Sequence, residues 1–218
     1  MLIPRVKICC IATAAEAAAA VRGGAAAVGL VSAMPSGPGP IDEALIAAIV
    51  PAVPPGVATF LLTSQTAADA IVAQQRRTGC DTLQLCDAVP ADALRAVRAE
   101  LPGVRLVQVV HVLDDAAVDE ARAAEPLVDA ILLDSGNPRL AVKQLGGTGR
   151  RHDWAVSRRV VEAVEVPVWL AGGLTPANVA EAVATVRPHG LDVCSGVRTD
   201  GRLDEAKLAA LFGALPSA

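Results

Sequence analysis

A closed parallel α/β barrel, the eight-stranded (βα)8 or TIM architecture, is the fold class that this sequence predicts. Three observations predict it. Short apolar runs alternate with helical stretches, and the runs centre near positions 8, 29, 60, 84, 109, 132, 170 and 194. Alternation of this kind implies parallel strands joined by crossover helices. The last two runs lead into Gly172-Gly173 and Ser195-Gly196, and an eight-fold barrel holds phosphate after its seventh and eighth strands. No dinucleotide fingerprint or P-loop follows the first run, as an open doubly wound sheet would favour. With 218 residues, one barrel domain over residues 1–218 is expected.

The elements follow from local signals. Val6 to Cys10 (VKICC) is the first strand, and Thr13 caps an alanine-rich helix that ends near Gly23-Gly24. Ala26 to Ser32 is the second strand. It enters a Pro/Gly loop, Met34 to Pro40, that cannot be helix or sheet interior. Asp42 and Glu43 open the next helix, where acidic groups suit the N-terminal dipole, and Pro51 ends it. Val57 to Thr63 is the third strand, and its helix runs from Thr66 to Arg77 before Gly79. Thr82 to Cys86 is followed by a helix from Pro90 to Leu101, and Arg105 to Val112 by one from Ala116 to Ala124. Asp129 to Ser135 is the sixth strand. A longer gap then carries Gly146-Gly147-Thr148-Gly149 before a helix from Trp154 to Val164. Val168 to Gly172 and Leu191 to Val197 are the last two strands, with helices from Asn178 to Val186 and from Asp204 to Leu215.

Composition excludes several classes. A net charge of −4 leaves no basic footprint for nucleic acid, and 2% aromatics leave few platforms for stacking bases. No run reaches about 18 apolar residues without a charge or breaker, so no membrane span is expected. The charges in MLIPRVKICC make a poor secretion signal, and the expected location is the cytoplasm. Five cysteines without a CxxC pair predict reduced thiols and no metal site.

Chemistry is expected at the C-terminal strand ends. Lys7 and Cys9 share parity on the first strand, so both face the barrel interior. A neighbouring ammonium favours a thiolate, which makes Cys9 a candidate base; the alternative is an inert core thiol. Asp134 closes the apolar run of the sixth strand. It is either a general acid whose pKa is raised by burial, or a turn aspartate. Paired glycines after a buried strand let backbone N–H groups approach an anion, so Gly172, Gly173, Ser195 and Gly196 are the expected phosphate grip. Lys7, Gln84 and the loop residues Gly147, Thr148 and Gly149 are the expected further substrate contacts. Cys10, Cys86 and His111 also lie at strand ends, whereas His152 and His189 lie in loops and are expected to be solvated.

These segments resemble phosphoribosylanthranilate isomerase of tryptophan biosynthesis over nearly the whole chain. The resemblance is carried by KIC at Lys7 to Cys9, LLDSG at Leu132 to Gly136 and GGTG at Gly146 to Gly149. LAGGLTPANVAEA at Leu170 to Ala182 and RPHGLDVCSGV at Arg187 to Val197 complete it. It implies a cofactor-free Amadori rearrangement of a phosphorylated ribosylamine, with Cys9 as general base and Asp134 as general acid. It also implies that the GGTG loop is a lid, and that the protein is a monomer or homodimer. The N-terminal half departs from the family pattern. Cys10 stands where glycine is usual, Ala12 where threonine is usual, and Cys86-Asp87 follows Gln84-Leu85 where His-Gly is usual. Gln108 and His111 stand where basic residues are common, and Ser32 to Ile41 contains no arginine for an aromatic carboxylate. Two alternatives therefore stand beside the isomerase. One is a paralogue acting on another phosphorylated sugar; the other is a non-catalytic phosphate-ligand binder.

Overall fold

The computed structural model describes residues 4–216. Eight parallel strands close into a barrel: β1 Arg5–Ile8, β2 Ala27–Val31, β3 Ala58–Thr63, β4 Thr82–Leu85, β5 Arg105–His111, β6 Ala130–Asp134, β7 Val168–Leu170 and β8 Gly190–Val193. Seven helices cover the crossovers: α1 Ala14–Arg22, α2 Glu43–Ile49, α3 Ala68–Thr78, α4 Ala91–Glu100, α5 Ala116–Ala124, α6 Trp154–Ala163 and α7 Val179–Val186. Helix α8, Glu205–Gly213, follows β8. Closure pairs the two ends of the sequence, with Lys7 level with Asp192 and Ile8 level with Val193. No described helix is long and apolar enough to cross a membrane.

Period-two alternation divides the core into two layers. Outward residues such as Ile8, Leu30, Leu61, Leu83 and Leu133 pack beneath the helices. Inward residues such as Ala27, Phe60, Val107, Leu132 and Trp169 fill the barrel. Trp169 plugs the bottom, edge-on to Phe60 with ring centroids 5.7 Å apart. Gly190 on the neighbouring strand makes room for it, since a Cβ there would lie 2.5 Å from the indole.

Helix ends obey the expected chemistry. Thr13 Oγ1 accepts from Glu16 N at 3.1 Å, and Glu16 Oε2 accepts from Ala12 N at 3.0 Å, a variant of the reciprocal capping box. Gly79 ends α3 in the left-handed region at φ 73°. Asp153 and Asp204 cap α6 and α8 with their side chains.

The expected strands differ from the observed ones mainly at the barrel mouth. The seventh strand stops at Leu170, before the glycines. The eighth stops at Val193, and Ser195–Val197 forms a 3-10 turn instead of continuing it. Gly172 at φ 85° and Gly173 at φ 65° turn the chain where β pairing ends. A small hairpin, β9 Arg198–Thr199 and β10 Arg202–Leu203, follows and was not expected. It matters because Arg198 and Leu203 N both bind Glu16, which ties the end of β8 to the start of α1.

Candidate active site

Inward-facing positions at the C-terminal strand ends meet in one cavity. Cys9 after β1, Gln84 on β4 and Asp134 at the end of β6 all line it. So do Gly172, Gly173 and Ser195 on the opposite rim, and Gly147, Thr148 and Gly149 from the long loop after β6. Residues 180 or more positions apart in the chain meet here because β1 and β8 are neighbours.

Asp134 is buried, and burial pushes its carboxyl up to about 6. The nearby charge of Asp192 acts in the same direction, against the hydrogen bond from Ser135 N. The loop after β6 passes directly over this group. A Cβ on Gly146 would lie 2.5 Å from Asp134 Oδ2, and Thr148 Oγ1 bonds Ser135 Oγ at 2.6 Å. The Pro/Gly loop after β2 meets it from the other side. Ser36 Oγ donates to Lys143 O at 2.7 Å, and Pro38 packs where a Cβ on Gly147 would fall. The two loops together roof the cavity.

The glycine rim has the form expected of an anion site. Among the described residues, none accepts a hydrogen bond from the backbone N–H of Gly172, Gly173, Ser195 or Gly196. Donors left without intramolecular partners at adjoining turns suit an anion. Gly196 itself does not line the cavity. It packs on the β7 turn, where a Cβ would stand 2.0 Å from Leu174 O.

Lys7 also departs from expectation. It does not line the cavity but lies in the barrel interior, fully buried, with Nζ 2.7 Å from Asp192 Oδ2. Burial alone would discharge it. Asp192, and more weakly Cys9, hold it protonated, with its pKa raised overall. Its ammonium also sits 5.2 Å from the Phe60 ring centroid. Gly29 on β2 makes this arrangement possible: a Cβ there would fall 2.9 Å from Cys9 Sγ and 3.0 Å from Lys7 Nζ. Lys7 therefore supplies positive potential beneath Cys9 rather than a substrate contact. Lys7→Met should cost about 3–5 kcal/mol in a denaturant titration, because it strands a buried carboxylate. Adding Asp192→Asn should restore most of the loss; no restoration would show that charge is not the cause.

The histidines and remaining thiols separate further. His111 does not reach the cavity. Its Nε2 donates to Cys86 O at 3.1 Å, and its Nδ1 lies 2.7 Å from where a Cβ on Gly136 would stand. His152 is not solvated as expected. It bonds Ser157 Oγ at 2.7 Å, and burial pushes its pKa down to about 4. His189 is exposed. Cys86 lines the cavity, but burial pushes its thiol up, so it stays protonated. Neither Arg151 nor Arg198 lines the cavity. Arg151 stacks on Trp154 and pairs with Glu181, and Arg198 binds Glu16 and the carbonyls of Cys9 and Cys10.

Two residues escaped the sequence reading. Asp192 shares inward parity with Cys194, a signal that was available. Gly29 carries no sequence signal, since its role is set by side chains on another strand.

Fold and site together define a (βα)8 barrel with a thiol, a buried carboxyl and unpaired backbone donors gathered at one mouth, the arrangement of a barrel enzyme. The chain belongs to the N-(5′-phosphoribosyl)anthranilate isomerase family, whose profile matches residues 6–214. It is 37% identical to the enzyme of that name from Methanocella arvoryzae over 208 residues, covering 95% of each chain. It is 43% identical to the one from Haloferax volcanii over 198 residues, covering 90% of this chain and 86% of the other. The crystal structure of phosphoribosyl anthranilate isomerase from Thermotoga maritima superposes with a TM-score of 0.83 at 26% identity, covering 97% and 98% of the two chains.

Proposed function

We propose that the chain rearranges N-(5′-phosphoribosyl)anthranilate to the 1-amino-1-deoxyribulose 5-phosphate product, as a step of tryptophan biosynthesis. One observation carries the assignment of roles: Cys9 and Asp134 line the same cavity, whose far rim presents unpaired backbone donors. The phosphate docks on Gly172, Gly173 and Ser195, and this remote binding energy fixes the sugar. Asp134, whose carboxyl burial brings closer to neutral pH, gives its proton from the protonated form to the ribose ring oxygen. The ring opens as the C1′–O bond breaks and the nitrogen lone pair forms the Schiff base. Cys9 as thiolate then removes the C2′ proton, and the electron pair flows to the nitrogen to give an enolamine. Tautomerisation yields the ketone.

The cavity floor suits the sugar. Gln84 Oε1 and Asp192 Oδ1 are buried acceptors without hydrogen-bond partners among the described residues, and both side chains line the cavity. They accept from ribose hydroxyls in this reading, since an unmade hydrogen bond there is costly. The roofing loops exclude water from the intermediates. Fluorescence-monitored turnover of N-(5′-phosphoribosyl)anthranilate by the purified chain, and rescue of a tryptophan auxotroph lacking the activity, test the proposal. Absence of both, with the protein folded, refutes it.

A specific observation favours a broader choice of amine. Among the described residues, no lysine or arginine lines the cavity, while Asp134 and Asp192 both do. The wall near the roof is Val31, Met34, Leu62 and Leu145. An aryl carboxylate would gain no ion pair there, and burying it unpaired is unfavourable. We expect N-(5′-phosphoribosyl)aniline to be turned over with kcat/KM within about tenfold of the anthranilate compound. Discrimination of about 10³ or more in favour of the carboxylate would contradict it, since a site built for that group rejects its absence strongly. The reduced analogue 1-(o-carboxyphenylamino)-1-deoxyribulose 5-phosphate, bound in a crystal structure of a phosphoribosyl anthranilate isomerase of the same fold, serves as a binding probe for the same comparison.

A further inference from the structure

Four of the five cysteines line the cavity, and three of them, Cys9, Cys10 and Cys194, stand where β1 and β8 end. The proposed mechanism uses only the first. Cys10 Sγ lies 2.8 Å from Cys194 Sγ, although 184 positions separate them in the chain. Barrel closure explains the approach. Ile8 is level with Val193, and Cys9 N bonds Val193 O at 2.8 Å, so Cys194 comes alongside the Cys9-Cys10 turn. Neighbouring strands stand about 4.8 Å apart, within the reach of a disulfide. Cys10 holds φ at 61°, a conformation that costs a non-glycine residue energy. That conformation aims its thiol across the turn, where Gly39 leaves room: a Cβ there would lie 2.8 Å from Cys10 Sγ.

We infer that Cys10 and Cys194 form a redox site, converted by hydroperoxides to an intramolecular disulfide that shuts the neighbouring base down. Cys194 is the half-buried member, and Cys10 is buried behind it. The neighbouring Cys10 thiol, and the Arg198 guanidinium beside it, favour the Cys194 thiolate against the effect of burial. The Cys194 thiolate attacks the peroxide, the O–O bond breaks, and hydroxide leaves from a Cys194 sulfenic acid. Cys10, giving up its proton, attacks that sulfur and expels water. Two thiols and one peroxide thus give one disulfide and two waters, with the thiols oxidised and the peroxide reduced. Bond formation draws the sulfurs to about 2.05 Å. It pulls on the residue that follows Cys9 and breaks the contact of Cys10 Sγ with Pro38 O, 3.7 Å long in the reduced protein. The base and one roofing loop both shift.

The test uses the reduced, folded chain and near-stoichiometric hydrogen peroxide. Two of the five thiols should be lost, and peptide mapping should join the Cys10 and Cys194 peptides. Turnover should fall at least tenfold and return with dithiothreitol. Cys194→Ser and Cys10→Gly should each abolish the cross-link; the glycine also relieves the positive φ, so that variant is expected to fold. Thiol count and mapping need no substrate, so this inference stands or falls apart from the assigned reaction. Oxidation at Cys9 before the pair, a cross-link elsewhere, or five thiols surviving peroxide would each overturn it.

Discussion

Cys9→Ala is expected to lower kcat by about 10³-fold or more while leaving the barrel folded, since positioned general bases contribute about 10²–10⁴. Cys9 sits at the cavity wall above the Lys7–Asp192 pair, and the truncation removes one sulfur without disturbing that pair. KM should change little, because the glycine rim proposed to hold the phosphate and the acceptors of Gln84 and Asp192 are untouched. A loss in kcat with KM preserved marks an interaction made in the transition state rather than in substrate binding. Cys9→Ser should behave similarly, because a hydroxyl is far less acidic than a thiol. Turnover above a tenth of the wild-type rate in Cys9→Ala would remove Cys9 from the mechanism and leave the base unassigned.

Asp134→Asn is expected to cut turnover severely and to stabilise the protein at the same time. The amide cannot give up a proton to the ring oxygen, so kcat should fall about 10²–10⁴-fold. The stability effect follows from linkage. The folded carboxyl titrates near 6, against 3.8 as the ordinary value. A raised folded value means that the folded state binds the proton more tightly than the unfolded chain. Stability from this group is therefore full below about 3.8 and is lost as pH rises through about 6. The loss approaches about 2–3 kcal/mol at pH 8. Asparagine resembles the protonated form and keeps an acceptor for Ser135 N, so it escapes this loss. Thermal melting should show the variant roughly 5–10 °C more stable than wild type at pH 8, with the gap closing near pH 4. Equal melting temperatures at both pH values would mean that the site does not raise the Asp134 carboxyl. Gain in stability on loss of activity is the expected signature of a carboxyl buried for catalysis.

Much of this molecule is legible in one dimension because its signals are local. Eight apolar runs of strand length, separated by capped helices, specify a (βα)8 barrel from periods of two and 3.6 residues. The caps at Thr13, Gly79, Asp153 and Asp204 need only their own neighbours. Cys9 and Asp134 were readable for the same reason: parity puts both side chains inside, and both stand where apolar runs end. The glycines at 172 and 173 announce a turn with free backbone donors.

What the sequence by itself determined is the architecture, the mouth at which chemistry occurs, and the residue types placed there. What only the tertiary structure decided is which distant groups meet. Lys7 reads as an inward-facing substrate contact until closure of β1 on β8 buries it against Asp192. Gly29 reads as an ordinary strand glycine until Cys9 and Lys7 occupy its missing side chain. Cys10 and Cys194, and the two loops that roof the cavity, are brought together in the same way. Each of these contacts spans from about twenty to nearly two hundred positions. A pattern of period two or 3.6 records which face a residue presents, and carries no information about what stands on the facing strand once the barrel has closed.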